Sequence, residues 1–463
     1  MYQGNLPNPA SFRRNLPGRR YYAGRAPTYI AMDRLNLILQ RYFGHTAFNP
    51  YQREIIEDIL SGRDVLAVLA TGGGKSLCYQ VPALVGDGVV LVVSPLIALM
   101  KDQVDDLQAQ GIGAEALNSS GSYATTRRIL AELNEGLIQI LYVSPEKAVD
   151  DGFLDFVASL PVTLIAVDEA HCISMWGHQF RPEYRSLSVL KERFPGVPMV
   201  ALTATATPDV REDIVRQLNL SDPTVYVGSF NRENLRYAVL QKEEDAYERL
   251  RAYLRGRRGD AGIVYVATRE GAETLAARLR AGGISALPYH AGMTPTARAR
   301  TQDRFIGGKV PVVCATSAFG MGIDKPDVRF VVHYDMPKTL EAYYQESGRA
   351  GRDGKESDCI LFYNDSDARR LRSFIDRDLA SEFQREVARS KLQSMADYCT
   401  TAECRRKVLL EYFGERFDAL PCGGCDACIP SGITAGGREE SRTGKARPRS
   451  GQRKRGAARS VSG

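Results

Sequence analysis

Short apolar runs rich in β-branched residues recur from residue 62 onward, each separated from the next by a helix-like segment. The first five are DVLAVLA (64–70), VVLVVS (89–94), IQILYVS (138–144), TLIAVD (163–168) and PMVALTAT (198–205). They are nearly continuous in apolar residues, without the alternation of a strand that has one wet face. Such runs suit strands buried on both faces. Stretches with helical spacing, such as TTRRILAELNEG, lie between them. Alternation of this kind implies a parallel sheet covered by helices on both sides.

The pattern then begins again. AGIVYVA (261–267), ISALPYH (284–290), VPVVCAT (310–316), VRFVVHYD (328–335) and CILFYN (359–364) alternate with REGAETLAARLRAGG and PTARARTQDRFIGG. Two α/β domains follow, joined near GSFNRENLR (228–236), and a helical, cysteine-bearing unit comes after them. The expected division is 33–227, 228–365 and 366–429, between a basic arm (1–32) and a basic tail (430–463) that have no apolar periodicity. Asp33 is expected to cap a first helix in MDRLNLILQRYFG, which leaves Met1 and Met32 both open as starts.

Charge is distributed unevenly. The net +6 consists of +5 on residues 1–32 and +7 on 430–463, leaving −6 for the body between them. Basic, Gly/Ser-rich arms suit sequence-independent contact with nucleic-acid phosphates, or serve as solubilising arms. No apolar run approaches a membrane span, and the first 32 residues lack the apolar segment of a secretory signal. No membrane partner is expected.

The chemistry lies where the apolar runs end. ATGGGKS (70–76) follows the first run and opens a helix-like segment, so Thr71, Gly72, Gly73 and Gly74 can wrap backbone N–H groups around a polyphosphate. Lys75 would reach the β/γ-phosphates and Ser76 a magnesium ion. Leu69 stands where the full phosphate-loop pattern has a first glycine. AVDEAH (166–171) ends the fourth run and sets Asp168 and Glu169 at the carboxyl edge of the sheet. Two adjacent acids can divide the work, one holding magnesium and the other activating water. In the second domain, QESGRAGRDG (345–354) carries Arg349 and Arg352 three residues apart, a spacing that lets both address one anion. An arginine on a second domain, acting on a phosphate held by the first, makes hydrolysis depend on closing a cleft.

Five cysteines cluster near the end. Cys404 and CGGCDAC (Cys422, Cys425, Cys428) give four thiolates with x2, x2 spacing and seventeen residues after the first. Four thiolates close a tetrahedral Zn2+ shell with no open position, which is a structural site. Cys399 is a fifth, surplus thiol. Finally, EAHCISMWGHQFRPEY (169–184) holds the sole tryptophan, Trp176, with His178, Phe180 and Arg181. On its own this stretch admits two readings, aromatics packed into a core or a platform for stacking bases.

Taken together, these motifs resemble the RecQ family of superfamily 2 helicases, in order over residues 35–428. FGHTAFNPYQ (43–52) resembles its adenine motif, with His45 stacking on the base and Gln52 reading it. SPLIALMKDQV (94–104), SPEK (144–147), TATAT (203–207), YHAGM (289–293) and ATSAFGMGIDKPDVRFVVHYDMP (315–337) resemble its DNA-contacting and coupling motifs. The resemblance implies two tandem RecA-like domains followed by a zinc-binding module, and an ATP- and Mg2+-dependent motor moving 3′ to 5′ on single-stranded and forked DNA. It also implies that Gln345, Arg349 and Arg352 sense the γ-phosphate, and that Trp176, His178, Phe180 and Arg181 couple single-stranded DNA to hydrolysis.

Two departures stand out. Asn49 lies where the family carries arginine, which puts one nucleotide contact in doubt. Only 35 residues follow Cys428, where family members continue into a winged helix, so DNA-stimulated hydrolysis is better supported than strong unwinding. The competing readings are an RNA helicase and a DNA-binding or strand-annealing module. Acting on DNA, the chain belongs at a bacterial nucleoid or in a nucleus.

Overall fold

The structure is a computed structural model and describes residues 29–118, 123–177, 179–320, 325–379 and 381–429. The basic tail, His178 and most of the basic arm lie outside these residues. Seven strands form the first sheet: β1 (Val65–Val68), β2 (Val89–Val93), β3 (Ala114–Leu117), β4 (Ile140–Val143), β5 (Val162–Val167), β6 (Met199–Thr203) and β7 (Thr224–Val227). They lie in the order β3-β4-β2-β5-β6-β1-β7, every pair parallel. Each of β1, β2, β4 and β6 is buried along its full length, as strands covered by helices on both faces must be. The order sets the carboxyl ends of β1, β6 and β5 side by side. In an open parallel sheet that edge is where ligands bind.

Six strands form the second sheet: β8 (Leu235–Gln241), β9 (Ala261–Tyr265), β10 (Ala286–Tyr289), β11 (Val312–Ala315), β12 (Val328–His333) and β13 (Ser357–Tyr363). Their order is β10-β11-β9-β12-β13-β8, again wholly parallel. Strands β3, β7 and β8 answer to none of the ten sequence runs. All three are sheet edges, and β3 and β7 are partly exposed, so their residues do not read as a continuous apolar run. The first helix runs Tyr29–Phe43, so Asp33 lies inside it rather than capping its start.

The third unit is built from helices Asp365–Asp378, Glu382–Thr400 and Arg405–Tyr412, followed by the loop that carries the last three cysteines. That loop closes the open edge of the second sheet. Tyr237 N donates to Gly424 O (2.9 Å), Asp426 N to Tyr237 O (3.0 Å), and Val239 N to the Asp426 carboxylate (2.9 Å). An exposed strand edge is thereby paired. Among the described residues, no helix is long and apolar enough to cross a membrane.

Candidate functional site

Leaving β1, the chain turns through Gly72 (φ 82°) and Gly74 (φ 71°), a region of backbone space that side chains with a Cβ rarely enter. Gly73 is required for a different reason, since a Cβ there would lie 2.9 Å from Ala70 O. The turn delivers Lys75, whose Nζ donates to Leu69 O (3.3 Å), and Ser76 at the start of the helix Leu77–Val85. Gln52 lies beneath. Its Nε2 donates to Gly74 O (2.8 Å) and Gly73 O (3.2 Å), and its Oε1 accepts from Asn49 N (2.8 Å). Gln52 is buried, with its Nε2 on two carbonyls of the glycine loop, so it braces that loop. Asn49 also reaches Gly73 O (3.4 Å). His45 is exposed.

At the end of β5, Glu169 adopts a left-handed backbone (φ 48°), strain that for a residue with a side chain costs about 1–3 kcal/mol. The turn sets Asp168 and Glu169 together in the cleft. Desolvation and the neighbouring Glu169 push the Asp168 carboxyl upward, while Lys75 pulls it back. A cleft with this excess of negative charge suits a divalent cation, and Ser76 and Asp168 are a donor set of the hard-oxygen kind that magnesium takes. The acids connect onward through His171, which sequence reading left without a role. Its Nδ1 lies 3.3 Å from Glu169 Oε2 and 2.8 Å from Thr203 Oγ1. Thr203 in turn donates to Thr205 O (3.3 Å).

Here the second domain enters. Gln345, on the helix Leu340–Ser347, donates from Nε2 to Thr205 Oγ1 (3.0 Å). Arg352 lies along the glycine loop, and a Cβ on Gly72 would sit 3.6 Å from its Cγ. Gly348 similarly abuts Thr71. Arg349 does not join them. It is buried, and its guanidinium donates to Gly320 O within its own domain. Of the two arginines read as a pair, Arg352 is the one brought to the phosphate loop.

The aromatic stretch folds back on itself, with Arg181 N donating to Cys172 O (2.9 Å) and Gly177 N to Ser174 O (2.9 Å). Trp176 at its tip is 43% exposed and meets the ring of Phe383, itself 40% exposed, edge-on at 5.1 Å. A core tryptophan would not be so open. Arg185 lies over the Phe180 ring (5.6 Å), and Arg181 Nη1 donates to Pro95 O (3.0 Å).

The thiols of Cys404, Cys422, Cys425 and Cys428 all lie within 4.8 Å of one another, with Cys425 and Cys404 at 3.9 Å. Four thiolates at about 2.3 Å from a tetrahedral zinc would be about 3.8 Å apart, so the cluster fits that ion. Backbone N–H groups of Cys422 and Gly424 point at the sulfurs of Cys428 and Cys422 (3.4 Å each), as they would toward thiolates. Cys399 is buried and outside the cluster.

Two RecA-like sheets, a phosphate loop facing an arginine across a cleft, and a four-cysteine module together define the class of protein: a nucleotide-binding helicase fold. Family models match in the same order, with DEAD/DEAH box helicase over 49–214, helicase conserved C-terminal domain over 245–354 and RecQ zinc-binding over 365–429. The ATP-dependent DNA helicase RecQ of Pasteurella multocida is 47% identical over 392 residues, covering 85% of this chain and 62% of that protein. Its namesake in Bacillus subtilis is 43% identical over 400 residues, covering 86% and 67%. The chain belongs to the RecQ family of helicases, and it spans roughly two thirds of the length of these relatives. Solved structures share the fold at low identity. The DEAD-box helicase Mss116 bound to single-stranded RNA matches with TM-score 0.61 at 18% identity, covering 78% of this chain and 82% of that one. The DUF1998 helicase MrfA bound to DNA matches with TM-score 0.61 at 19%, covering 81% and 59%.

Proposed function

We propose that the chain is an ATP-dependent motor that translocates 3′ to 5′ on single-stranded DNA and opens forked duplexes, with hydrolysis stimulated by DNA. The observation that carries this reading is the shared cleft, with Arg352 of the second domain against Gly72 of the first and Gln345 bonded to Thr205. ATP lies on the N–H groups of residues 71–76, with Lys75 on its outer phosphates. Magnesium, held by Ser76 and Asp168, would supply charge neutralisation on those phosphates. Glu169 takes the proton of the attacking water, and Arg352 stabilises charge on the transferred phosphoryl group. His171 stands at ion-pair distance from Glu169 and hydrogen-bonds to Thr203, and Thr205 links Thr203 to Gln345, so movement of the second domain is passed to the base. In this reading Trp176 stacks on bases without reading sequence, and Arg181 braces the loop that carries it.

DNA rather than RNA is the substrate of this reading because relatives at 43–47% identity are named DNA helicases. The fold alone serves both, as the RNA-bound and DNA-bound neighbours demonstrate. The test is ATP hydrolysis and forked-duplex opening measured on one preparation, with single-stranded DNA and RNA side by side. Stimulation by DNA with ATP-dependent strand separation is the expected result. Equal stimulation by RNA would replace the substrate. Stimulation without strand separation would leave a translocase that is not a helicase.

A further inference from the structure

The segment that carries Arg352 does not hold its shape alone. Residues 348–355 contain three glycines, two of them with positive φ, and one turn bond of their own, from Gly354 N to Gly351 O (3.1 Å). The segment's carbonyls are also bound by a side chain 116 to 119 residues earlier. Arg232 Nη2 donates to Ala350 O (3.0 Å) and Gly351 O (2.8 Å), and Nη1 to Gly348 O (3.4 Å). Asn234 adds a second clamp, its Nδ2 donating to Gly351 O and Lys355 O (2.9 Å each). The fit is close enough that a Cβ on Gly351 would lie 2.4 Å from that Nδ2.

The turn holding both clamps is fastened from behind. Arg406, two residues past Cys404, is buried, and it donates to Asn231 Oδ1 (2.6 Å), Arg232 O (2.7 Å) and Leu235 O (2.6 Å). The turn lies in the connection between the two sheets, next to Phe230, whose carbonyl accepts from Tyr344 Oη (3.0 Å). A rigid route therefore runs from the four-cysteine module through the turn 231–235 to the arginine segment.

We propose that Arg232 is a positioning residue for Arg352, and that Arg406 carries the four-cysteine module's hold on that position. Arg232 acts on the carbonyls of the segment that carries Arg352. A planar guanidinium can bridge several carbonyls at fixed spacing, which a lysine ammonium cannot do in the same geometry. This inference rests on the assignment of Arg352 to hydrolysis.

The test is single-turnover ATP hydrolysis by the full chain with single-stranded DNA, comparing wild type, Arg232→Gln, Arg352→Ala and the double variant. ATP affinity, zinc content and melting temperature are measured on each. Arg232→Gln is expected to slow hydrolysis on the order of 10–100-fold with ATP affinity and zinc content unchanged, the scale at which misplacing a catalytic group acts. The double variant is expected to be no slower than Arg352→Ala, since a misplaced arginine and a missing one are the same defect. Arg406→Lys should show a smaller loss that also vanishes in the Arg352→Ala background. An unchanged rate in Arg232→Gln, or a double variant slowed by the product of the single effects, overturns the proposal. Should Arg232→Gln fail to fold, Arg232→Lys keeps the charge and is run through the same cycle, with the same outcomes deciding. Wild type without DNA-stimulated hydrolysis, or an Arg352→Ala variant at full rate, would instead remove the reading on which the proposal stands.

Discussion

In the first domain the phosphate loop takes most of its shape from its own residues, with Gly72 and Gly74 at positive φ and Gly73 pressed against Ala70 O, and Gln52 and Asn49 brace it from outside. In the second domain the arginine segment takes its shape from elsewhere, through Arg232 and Asn234 on one side and Val328 O on Gly351 N (2.8 Å) on the other. Both lie beside parallel sheets of the same kind. One half of the cleft is set mostly locally and the other mostly by tertiary contacts. The halves should therefore fail differently: damage to the first half abolishes binding or chemistry outright, and damage to the supports of the second leaves binding intact and slows turnover.

The largest effects belong to the first half. Glu169→Gln should bind ATP and DNA yet hydrolyse on the order of 10²–10⁴-fold more slowly, because the amide keeps the shape and loses the base. Lys75→Ala should instead lose nucleotide affinity, visible as an absent fluorescence change with a labelled ATP analogue. Turnover by Glu169→Gln at the wild-type rate would break the local account of this half.

Next comes the module behind the second half. Elemental analysis should find one zinc per chain, and Cys425→Ser should lose it together with on the order of several kcal/mol of stability. The loop carrying Cys425 pairs the β8 edge, so hydrogen exchange at Tyr237 and Val239 should quicken in that variant. Soluble, active protein without zinc would remove the metal from the account. Cys399→Ser should keep its zinc and lose only about 1 kcal/mol, the cost of a hydroxyl placed among buried neighbours.

Smaller again is the effect expected at the aromatic tip. Trp176→Ala should leave the melting temperature and the DNA-free hydrolysis nearly unchanged and weaken the response to single-stranded DNA by about 1–3 kcal/mol, the scale of one stacked base. A core aromatic would cost about 3–5 kcal/mol of stability instead, and all activities would fall together. Fluorescence of the sole tryptophan should also change on adding oligonucleotide. Its ring already meets Phe383 at 5.1 Å, so the starting signal reports that contact.

The difference between the two halves also explains what the sequence makes legible. The buried strands, the glycine loop, the acids after β5 and the four cysteines all carry local signals: apolar continuity, glycine at positive φ, fixed spacing. Edge strands carry weaker ones, and LRYAVLQ of β8 stands outside the ten apolar runs. Partners set by tertiary packing carry none. Nothing in the spacing of Arg349 and Arg352 tells which one meets the phosphate loop, because Gly320 captures the first only after folding. Nothing local to Gln52 tells that it braces the glycine loop, because Gly73 and Gly74 reach it only on folding. Arg232 and Arg406 look like ordinary surface cations until the chain brings residues 351 and 235 to them.

The central claim is that hydrolysis needs both halves of the cleft and that DNA acts through their closure. The most direct measurement sets ATP binding beside DNA-stimulated hydrolysis in the wild type and in Arg352→Ala. The account predicts equal ATP affinity in the two proteins, with hydrolysis raised by single-stranded DNA in the wild type and reduced on the order of 10³-fold or more in the variant. Hydrolysis by Arg352→Ala at the wild-type rate, with DNA stimulation intact, would contradict it.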